Sequence, residues 1–593
     1  LRNKALLLVV LVAAAVYAGT MISPPSLMDD VDAVQAQISR NMLDSGDWVT
    51  ARLDGVAYLE KAPLIYWAMV CAYKIFGVHD WAARIPIVLA AILLAWITAA
   101  FGTWAFGKRA GIYSGLIMAT CFGLWLFTRI LIPDVMLTGS IALSMWAFLR
   151  AIDELEPRPR LWAFILAASL GSSLLLKSLI GVVFPVAAGL IYLSVTKQIS
   201  QAKIWRRIRP VSGTIVILLI AAPWHILAAI RNPPIFDFSM RSIPGQYHGF
   251  LWFFFINEQL LRFLNLRYPR DYDTVPRAAF WLFHLVWLFP WSVYFPAMAK
   301  LAYKPVDRAS KTRLLALCVA GFILVFFTFS TTQEYYSMPC YPALALLIGS
   351  ALASDDAAIR NWIRRGNKVL FTVLLVAGLA AAALWFEVRN FPAPGDIASA
   401  LSQNPGAYTL SLGHMEDLTL KSFAYLRTPL LLAAIAFLVG AAGAITRRFV
   451  ITTVAMCILF FQAARLAMVS FDPYLSSRPI AEALQRSPEG ELIVDHHYYT
   501  FSSLFFYTNR TALLLNGRFN NLVYGSYAPG APDVFINDAR FQQLWHSTER
   551  YYIVAEDPRN TALEGLLGRD SMFIVCQSGG KTLWTNRSIA GKT

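Results

Sequence analysis

Residues 26–67 read SLMDDVDAVQAQISRNMLDSGDWVTARLDGVAYLEKAPLIYW and lie between two apolar runs, so this stretch meets a membrane surface while holding a dense set of reactive groups. Asp29, Asp30 and Asp32 come first. A carboxylate here could act as a general base toward an acceptor hydroxyl or phosphate; capping of the following helix is the competing role for at least one of them. Tyr58, Glu60 and Lys61 precede Pro63, just ahead of a helix start, where backbone N–H groups and the dipole favour an anion such as a phosphate. Arg129 and Asp134 flank a tight turn in FTRILIPDVML, where snorkelling and helix capping compete with a role in a site. Lys177 interrupts the apolar run SLLLKSLIG, and its ammonium either snorkels to the interface or meets a lipid phosphate. Residues 231–276 add Arg241, His248, Glu258, Arg262, Arg267 and Arg270. That many arginines beside a membrane call for a buried anionic ligand. Tyr335 and Tyr336 sit in TTQEYY, where interfacial anchoring is the competing role. Glu60 with a histidine of the long segment could hold a divalent cation (Zn, Mg or Mn), though two ligands so far apart in sequence do not define a metal site.

The elements that must position these groups are set by composition. With 593 residues, 57% hydrophobic and only 15% charged, the chain is a polytopic membrane protein rather than an ordinary globular enzyme. Apolar runs of about 18 to 24 residues, the length a bilayer core demands, fall near 5–22, 81–105, 110–130, 134–152, 161–176, 178–196, 212–231, 278–298, 312–330, 335–353, 368–386, 424–446 and 449–470. About thirteen spans are expected. If the N-terminus faces the cytoplasm, the inside loops hold Lys108 and Arg109; Arg150, Arg158 and Arg160; Lys203 to Arg209; Lys300 to Arg313; Arg360 to Lys368; and Arg447 with Arg448. Each is basic, as the positive-inside rule requires. The net charge of +15 therefore reports topology, not nucleic-acid binding. Every candidate site residue then falls on the opposite, external face. Within 26–67, the spacing of Val31, Val34, Ile38 and Met42 predicts an amphipathic surface helix opened by Asp29 or Asp30 and closed by Gly46; a second one runs from Pro63 to Gly77.

After about residue 470 the texture changes. Residues 491–495 and 551–556 read as strands, 477–485 as a helix and 524–532 as a turn-rich loop, giving a soluble α/β domain. Its Tyr498, Tyr499, Phe505, Phe506 and Tyr507 read as core, with sugar binding the competing role. His496 and His497 would point to opposite faces of a strand and make a poor metal pair. The six cysteines have no metal or disulfide spacing.

GDWVTARLDGVAYLEKAPLIYW resembles the pattern G-D-W-x-x-P-R-L-x-G-x-x-Y-x-E-K-P-P-L-x-Y-W of the GT-C membrane glycosyltransferases, specifically the aminoarabinose transferase and protein O-mannosyltransferase superfamily. Arg84 with Pro86, Pro133 with Asp134, Lys177–Ser178 where that family has KG, PWHI from Pro223, FPW from Phe289 and QEYY from Gln333 extend the resemblance in order and spacing. It implies a GT-C transmembrane catalytic domain over 1–470, with loops 23–79 and 231–276 at the site, and a periplasmic soluble α/β domain over 471–593. It further implies inverting transfer of a monosaccharide from a polyprenyl (undecaprenyl) phosphate donor to a lipid, glycan or protein acceptor at the periplasmic face of a bacterial inner membrane. Asp30, Asp32 and Asp134 are then the catalytic carboxylates, and Lys61, Arg262, Lys177, Arg241 and Arg270 the donor-phosphate cations. Glu60 is a metal ligand, and Asp29, Arg129, Tyr58, Glu258, Tyr335 and Tyr336 line the cavity. Two departures stand out. The family's D-E-x-R-Y-A-E is DDVDAVQAQ here, so its aspartate is either displaced to Asp30 or replaced by Asp32, and its arginine falls on Val34. Its Glu-His is Glu258-Gln259, which leaves His248 as the substitute metal ligand. A flippase for a polyprenyl-linked sugar and a non-catalytic relative are the alternative readings. Polar groups continuing to the cytoplasmic side would favour the first, and the altered first-loop motif the second.

Overall fold

The computed structural model describes residues 2–23, 25–241, 243–269, 275–330, 333–402 and 413–589. Eight of its helices are long and apolar enough to cross a membrane: Asp80–Phe106, Asp134–Ile152, Pro159–Lys177, Ala202–Arg231, Arg308–Phe329, Ala357–Val388, Ser422–Ala444 and Phe449–Leu475. Arg277–Trp287 and Trp291–Met298 form a further pair bent by 98°. The remaining apolar runs are shorter or broken. Leu6–Ile22 and Ile180–Val195 are short helices. The run 110–130 divides at Cys121 into Lys108–Thr120 and Phe122–Phe127, and 335–353 opens with the 3-10 turn Glu334–Cys340 before Tyr341–Leu352. Lys108–Thr120 packs close to Asp80–Phe106 because Gly111 and Gly115, one turn apart, face it. A Cβ on Gly111 would lie 2.1 Å from Thr103 Oγ1, and one on Gly115 2.5 Å from Ala99 Cβ. Small residues at this spacing are what let membrane helices approach.

Two amphipathic helices build the first loop. Val31–Ser45 is opened by Asp30 and closed by left-handed Gly46; Leu64–Phe76 follows Pro63 and stops at Gly77. Between them the strands β1 (Arg52–Leu53) and β2 (Val56–Ala57) form a small antiparallel hairpin.

The C-terminal part is a six-stranded sheet of β3 (Glu491–Asp495), β4 (Leu513–Leu515), β5 (Phe535–Ile536), β6 (Tyr551–Glu556), β7 (Phe573–Ser578) and β8 (Lys581–Thr585), in the order β5-β4-β3-β6-β8-β7. β3 pairs in parallel with β4 and β6, and β8 runs antiparallel to β6 and β7. β3 is buried from Leu492 to Asp495, as a central strand covered on both faces must be. The expected helix appears as Arg478–Gln485, with Ile480, Ala481 and Leu484 inward. This sheet sits directly on the first loop: a Cβ on Gly525 would lie 1.9 Å from the Ala57 carbonyl oxygen.

Candidate active site

The three aspartates that open the first helix have three different fates. Asp29 accepts the backbone N–H and hydroxyl of Ser503 at 2.8 Å each, the Ser477 hydroxyl at 2.7 Å and the Lys581 ammonium at 2.5 Å. It fastens the C-terminal sheet to the loop. Asp32 is buried and accepts the N–H groups of Met28 and Leu131 at 3.1 Å and Arg84 Nη2 at 3.3 Å. Burial raises its pKa, opposed by Arg84, the two N–H groups and Arg129. It joins the loop to the Arg84 helix and to the turn before Asp134. Asp30 alone of the three is exposed. Its φ of 73° is a left-handed value that costs a non-glycine residue energy, held by Asp30 N–H to the Tyr499 carbonyl at 2.8 Å and by the Ser502 hydroxyl to the Asp30 carbonyl at 3.0 Å. Two residues of the C-terminal sheet region thus aim this carboxylate.

Cations and carboxylates alternate in one chain whose centre is buried and whose ends, Lys61 and Arg262, are half-buried. Lys61 Nζ is 3.6 Å from Glu60, whose other oxygen meets Arg267 Nη2 at 2.6 Å. The fully buried Arg267 also bonds Glu258, which accepts Arg262 Nη1 at 2.9 Å. Burial works to raise the Glu258 carboxyl, but Arg267, Arg262 and Lys61 hold it below its usual range. The π-helical segment Trp252–Leu261 carries Glu258, and Arg262 follows directly. Asp134 opens its helix after Pro133 and pairs with Lys177, the last residue of Pro159–Lys177, so each charge complements the helix end it occupies. Lys177 Nζ lies 4.5 Å from the Tyr336 ring and 5.1 Å from Tyr335. Asp30, Asp134 and Arg262 all act electrostatically on the Tyr335 hydroxyl, so first loop, long loop and both membrane helices converge there.

Tyr58 donates to Glu60 at 3.2 Å, and Tyr499 and Asn521 of the C-terminal region continue this network at 3.2 and 2.7 Å. Asp54, at the tip of the hairpin, is buried with one oxygen on Ala512 N–H at 3.1 Å and the other without a hydrogen-bond partner among the described residues. Burial pushes its pKa up to about 7.

Other expected residues lie elsewhere or take other roles. Arg129 packs over Trp125 at 5.2 Å beside the Asp32–Arg84 pair. Arg241 is exposed on the long loop, where its backbone pairs with Ser239, and Arg270 lies outside the described residues. The expected pairing of Glu60 with His248 around a metal is not assembled. Glu60 is bonded to Arg267, Lys61 and Tyr58, while His248 Nδ1 is 2.6 Å from Asp237 and its ring packs on Trp252. No group of three His, Cys, Asp or Glu suited to a metal occurs among the described residues. A carboxylate already neutralised by two cations is a poor cation ligand, so these residues do not fit a metal. Three contributors were not placed in the site from sequence: Arg267, noted only as one arginine among several; Tyr499, read as core, which reaches Tyr58 of the first loop from 441 positions away; and Asn521, which bonds Tyr499.

Residues 60–227 match the dolichyl-phosphate-mannose-protein mannosyltransferase family. The undecaprenyl phosphate-alpha-4-amino-4-deoxy-L-arabinose arabinosyl transferase of Pectobacterium atrosepticum is 24% identical over 62% of this chain and 63% of its own length. The protein of that name from Pseudomonas aeruginosa is 29% identical over 60% and 61%. The match thus spans just under two thirds of these curated relatives. The crystal structure of ArnT from Cupriavidus metallidurans bound to undecaprenyl phosphate superposes with a TM-score of 0.78 at 22% identity, covering 99% of this chain and 98% of that one. The chain therefore shares the fold of that ArnT structure, with apolar helices long enough to cross a membrane, and residues 60–227 are similar in sequence to the mannosyltransferase family.

Proposed function

We propose that the chain transfers a monosaccharide from a polyprenyl phosphate to a lipid, glycan or protein acceptor, and that Asp30 is the base. The observation that carries this reading is the convergence, at Tyr335, of one exposed carboxylate with a backbone-held position, Asp30, and Arg262 at the end of the run Lys61–Glu60–Arg267–Glu258–Arg262. Lys177, paired with Asp134, adds a further cation beside this run, and a phosphate is the anion such a grouping of lysines and arginines suits.

In this reading the acceptor oxygen attacks the anomeric carbon, and its proton passes to Asp30. The bond from that carbon to the phosphate oxygen breaks, and the polyprenyl phosphate leaves with the electron pair. Cationic groups at the phosphate stabilise the charge that grows there, so no strong acid is needed. Lys61, Arg262 and Lys177 are the groups we assign to it; Arg267 positions Glu60 and Glu258 rather than meeting the ligand. No step passes through a metal. The names of the curated relatives support undecaprenyl phosphate as the carrier. The basic loops opposite the site support a periplasmic orientation in a bacterial inner membrane. The division into a catalytic domain over 1–470 and a soluble domain over 471–593 belongs to the same proposal.

The test is lipid mass spectrometry on membranes from cells with and without the gene, followed by complementation with Asp30→Asn. Accumulation of one polyprenyl-phosphate sugar on the outer leaflet in the deletion, reversed by the wild type, is expected. Asp30→Asn should fail to reverse it while reaching wild-type levels in the membrane, since a general base contributes about 10²–10⁴-fold. Full activity in Asp30→Asn would overturn the assignment of the base, and accumulation confined to the inner leaflet would favour a flippase.

A further inference from the structure

The C-terminal sheet has its own site. β3 is followed by β4 and β5 on one side, and the chain then returns to the other side of β3 as β6. In open α/β sheets, ligands bind outside the carboxyl ends of the strands at such a switch point. A crevice of about 120 Å³ lies there, between Asp495 and the two histidines after it at the end of β3 and Glu556 at the end of β6.

Its lining is specific. Asp495 is buried, and Arg559 grips it with Nε at 3.0 Å and Nη2 at 3.3 Å, which fixes the guanidinium plane. Phe519 is 52% exposed at the rim, with its ring 6.1 Å from His496 and 6.2 Å from His497. A half-exposed aromatic ring beside planar donors and acceptors suits a pyranose, whose C–H face stacks while its hydroxyls find the carboxylate, imidazole and guanidinium edges. Two carboxylates in so small a space disfavour a phosphate.

The crevice shares its wall with the proposed catalytic base. The segment that contributes His497, Thr500 and Phe501 to the crevice also contributes the Tyr499 carbonyl and Ser502 hydroxyl that hold the Asp30 backbone. Lys581, opposite Glu556 in the β6–β8 register, reaches Asp29. We propose that this crevice is a saccharide subsite that seats a sugar unit of the acceptor one peptide segment away from Asp30. The acceptor part of this statement rests on the transferase reading above.

The experiment uses the whole chain in lipid nanodiscs. Methyl pyranosides of neutral, amino and uronic type are titrated by saturation-transfer NMR, and inorganic phosphate serves as the anion control. At least one pyranoside should bind saturably. Phe519→Ala and Glu556→Gln should each weaken it tenfold or more with an unchanged Tm. Phe573→Ala, an exposed phenylalanine on the edge strand β7, should change nothing. In transfer assays Phe519→Ala should raise the acceptor KM about tenfold and leave the donor KM alone. Binding of phosphate only, or pyranoside binding indifferent to Phe519 and Glu556, overturns the proposal. If the wild type transfers sugar and no pyranoside binds, the transferase reading stands and this one falls. If pyranosides bind the crevice and no sugar is transferred, the transferase reading falls and the saccharide site stands.

Discussion

The helix Asp134–Ile152 carries ion pairs at both ends, and they are built differently. At its C-terminal end Asp153 meets Arg308 at 2.8 Å, Glu154 meets Lys203 at 2.5 Å and Glu156 meets Arg150, whose guanidinium lies 4.3 Å from the Trp162 ring. These carboxylates come from one short loop, each has its own cation, and the Lys203–Glu154 pair is solvent-exposed on both sides. At the N-terminal end Asp134 and Lys177 stand beside the continuous run from Lys61 to Arg262, which draws on the first and long loops and buries its central arginine completely. Exposed pairs are screened and contribute little. Buried ones persist only when every member is satisfied, and this end buries Glu60, Arg267, Glu258 and Asp134 with Lys61, Arg262 and Lys177 half-buried beside them, the grouping that the proposed function assigns to an anion.

The largest effect should come from Arg267→Met, which leaves Glu60 and Glu258 buried without their shared cation. A loss of about 3–5 kcal/mol is expected, read as a fall in thermal unfolding temperature in detergent. Adding Glu60→Gln and Glu258→Gln should recover much of that stability and none of the transfer activity. Recovery of both would show that the run only supports the fold. Lys177→Met strands one buried carboxylate, Asp134, instead of two, for about 1–3 kcal/mol, and Asp134→Asn in that background should restore the melting temperature.

Asp54 is the intermediate case, a buried carboxylate with no cation paired to it among the described residues. Its folded-state value of about 7 lies above the ordinary 3.8, so the folded chain keeps a proton that the unfolded chain releases. Stability should fall as pH rises from about 4 to about 7 and level off beyond. Asp54→Asn keeps the acceptor for Ala512 and removes the charge. It should raise Tm by a few degrees at pH 8, leave it nearly unchanged at pH 4, and flatten the profile between. A parallel pH profile in the variant would assign the slope to another group. Smallest of all, Lys203→Ala at the opposite end should alter neither Tm nor turnover; a measurable drop in either would erase the contrast between the two ends.

Much of this architecture is legible in local sequence. Val31–Ser45 and Leu64–Phe76 follow from apolar spacing bounded by Asp30, Gly46, Pro63 and Gly77, because caps and periodicity act within a few residues. The long apolar helices follow from hydropathy for the same reason. Hydropathy did not foresee that the apolar runs at 110–130 and 335–353 would break, at Cys121 and at the 3-10 turn before Tyr341, since a helix enclosed by neighbours need not be continuous across a bilayer. The candidate site was legible as a set of residue types, but that Asp134 would pair with Lys177, and Glu60 with Arg267, was not, since each partner comes from a different segment. His496 and His497, set aside as a metal pair, turn out to line a crevice whose existence depends on the order of strands.

The sequence by itself determined that Asp29, Asp30 and Asp32 would meet at the start of a surface helix. Which of them stays exposed was decided only by tertiary structure. Asp32 is closed by Arg84 and Leu131, Asp29 by Lys581 from the far end of the chain, and Asp30 is turned outward by Tyr499 and Ser502. A carboxylate's role depends on the donors and cations around it, and here the cations, Arg84 and Lys581, arrive from 52 and 552 positions away, beyond the reach of any local pattern.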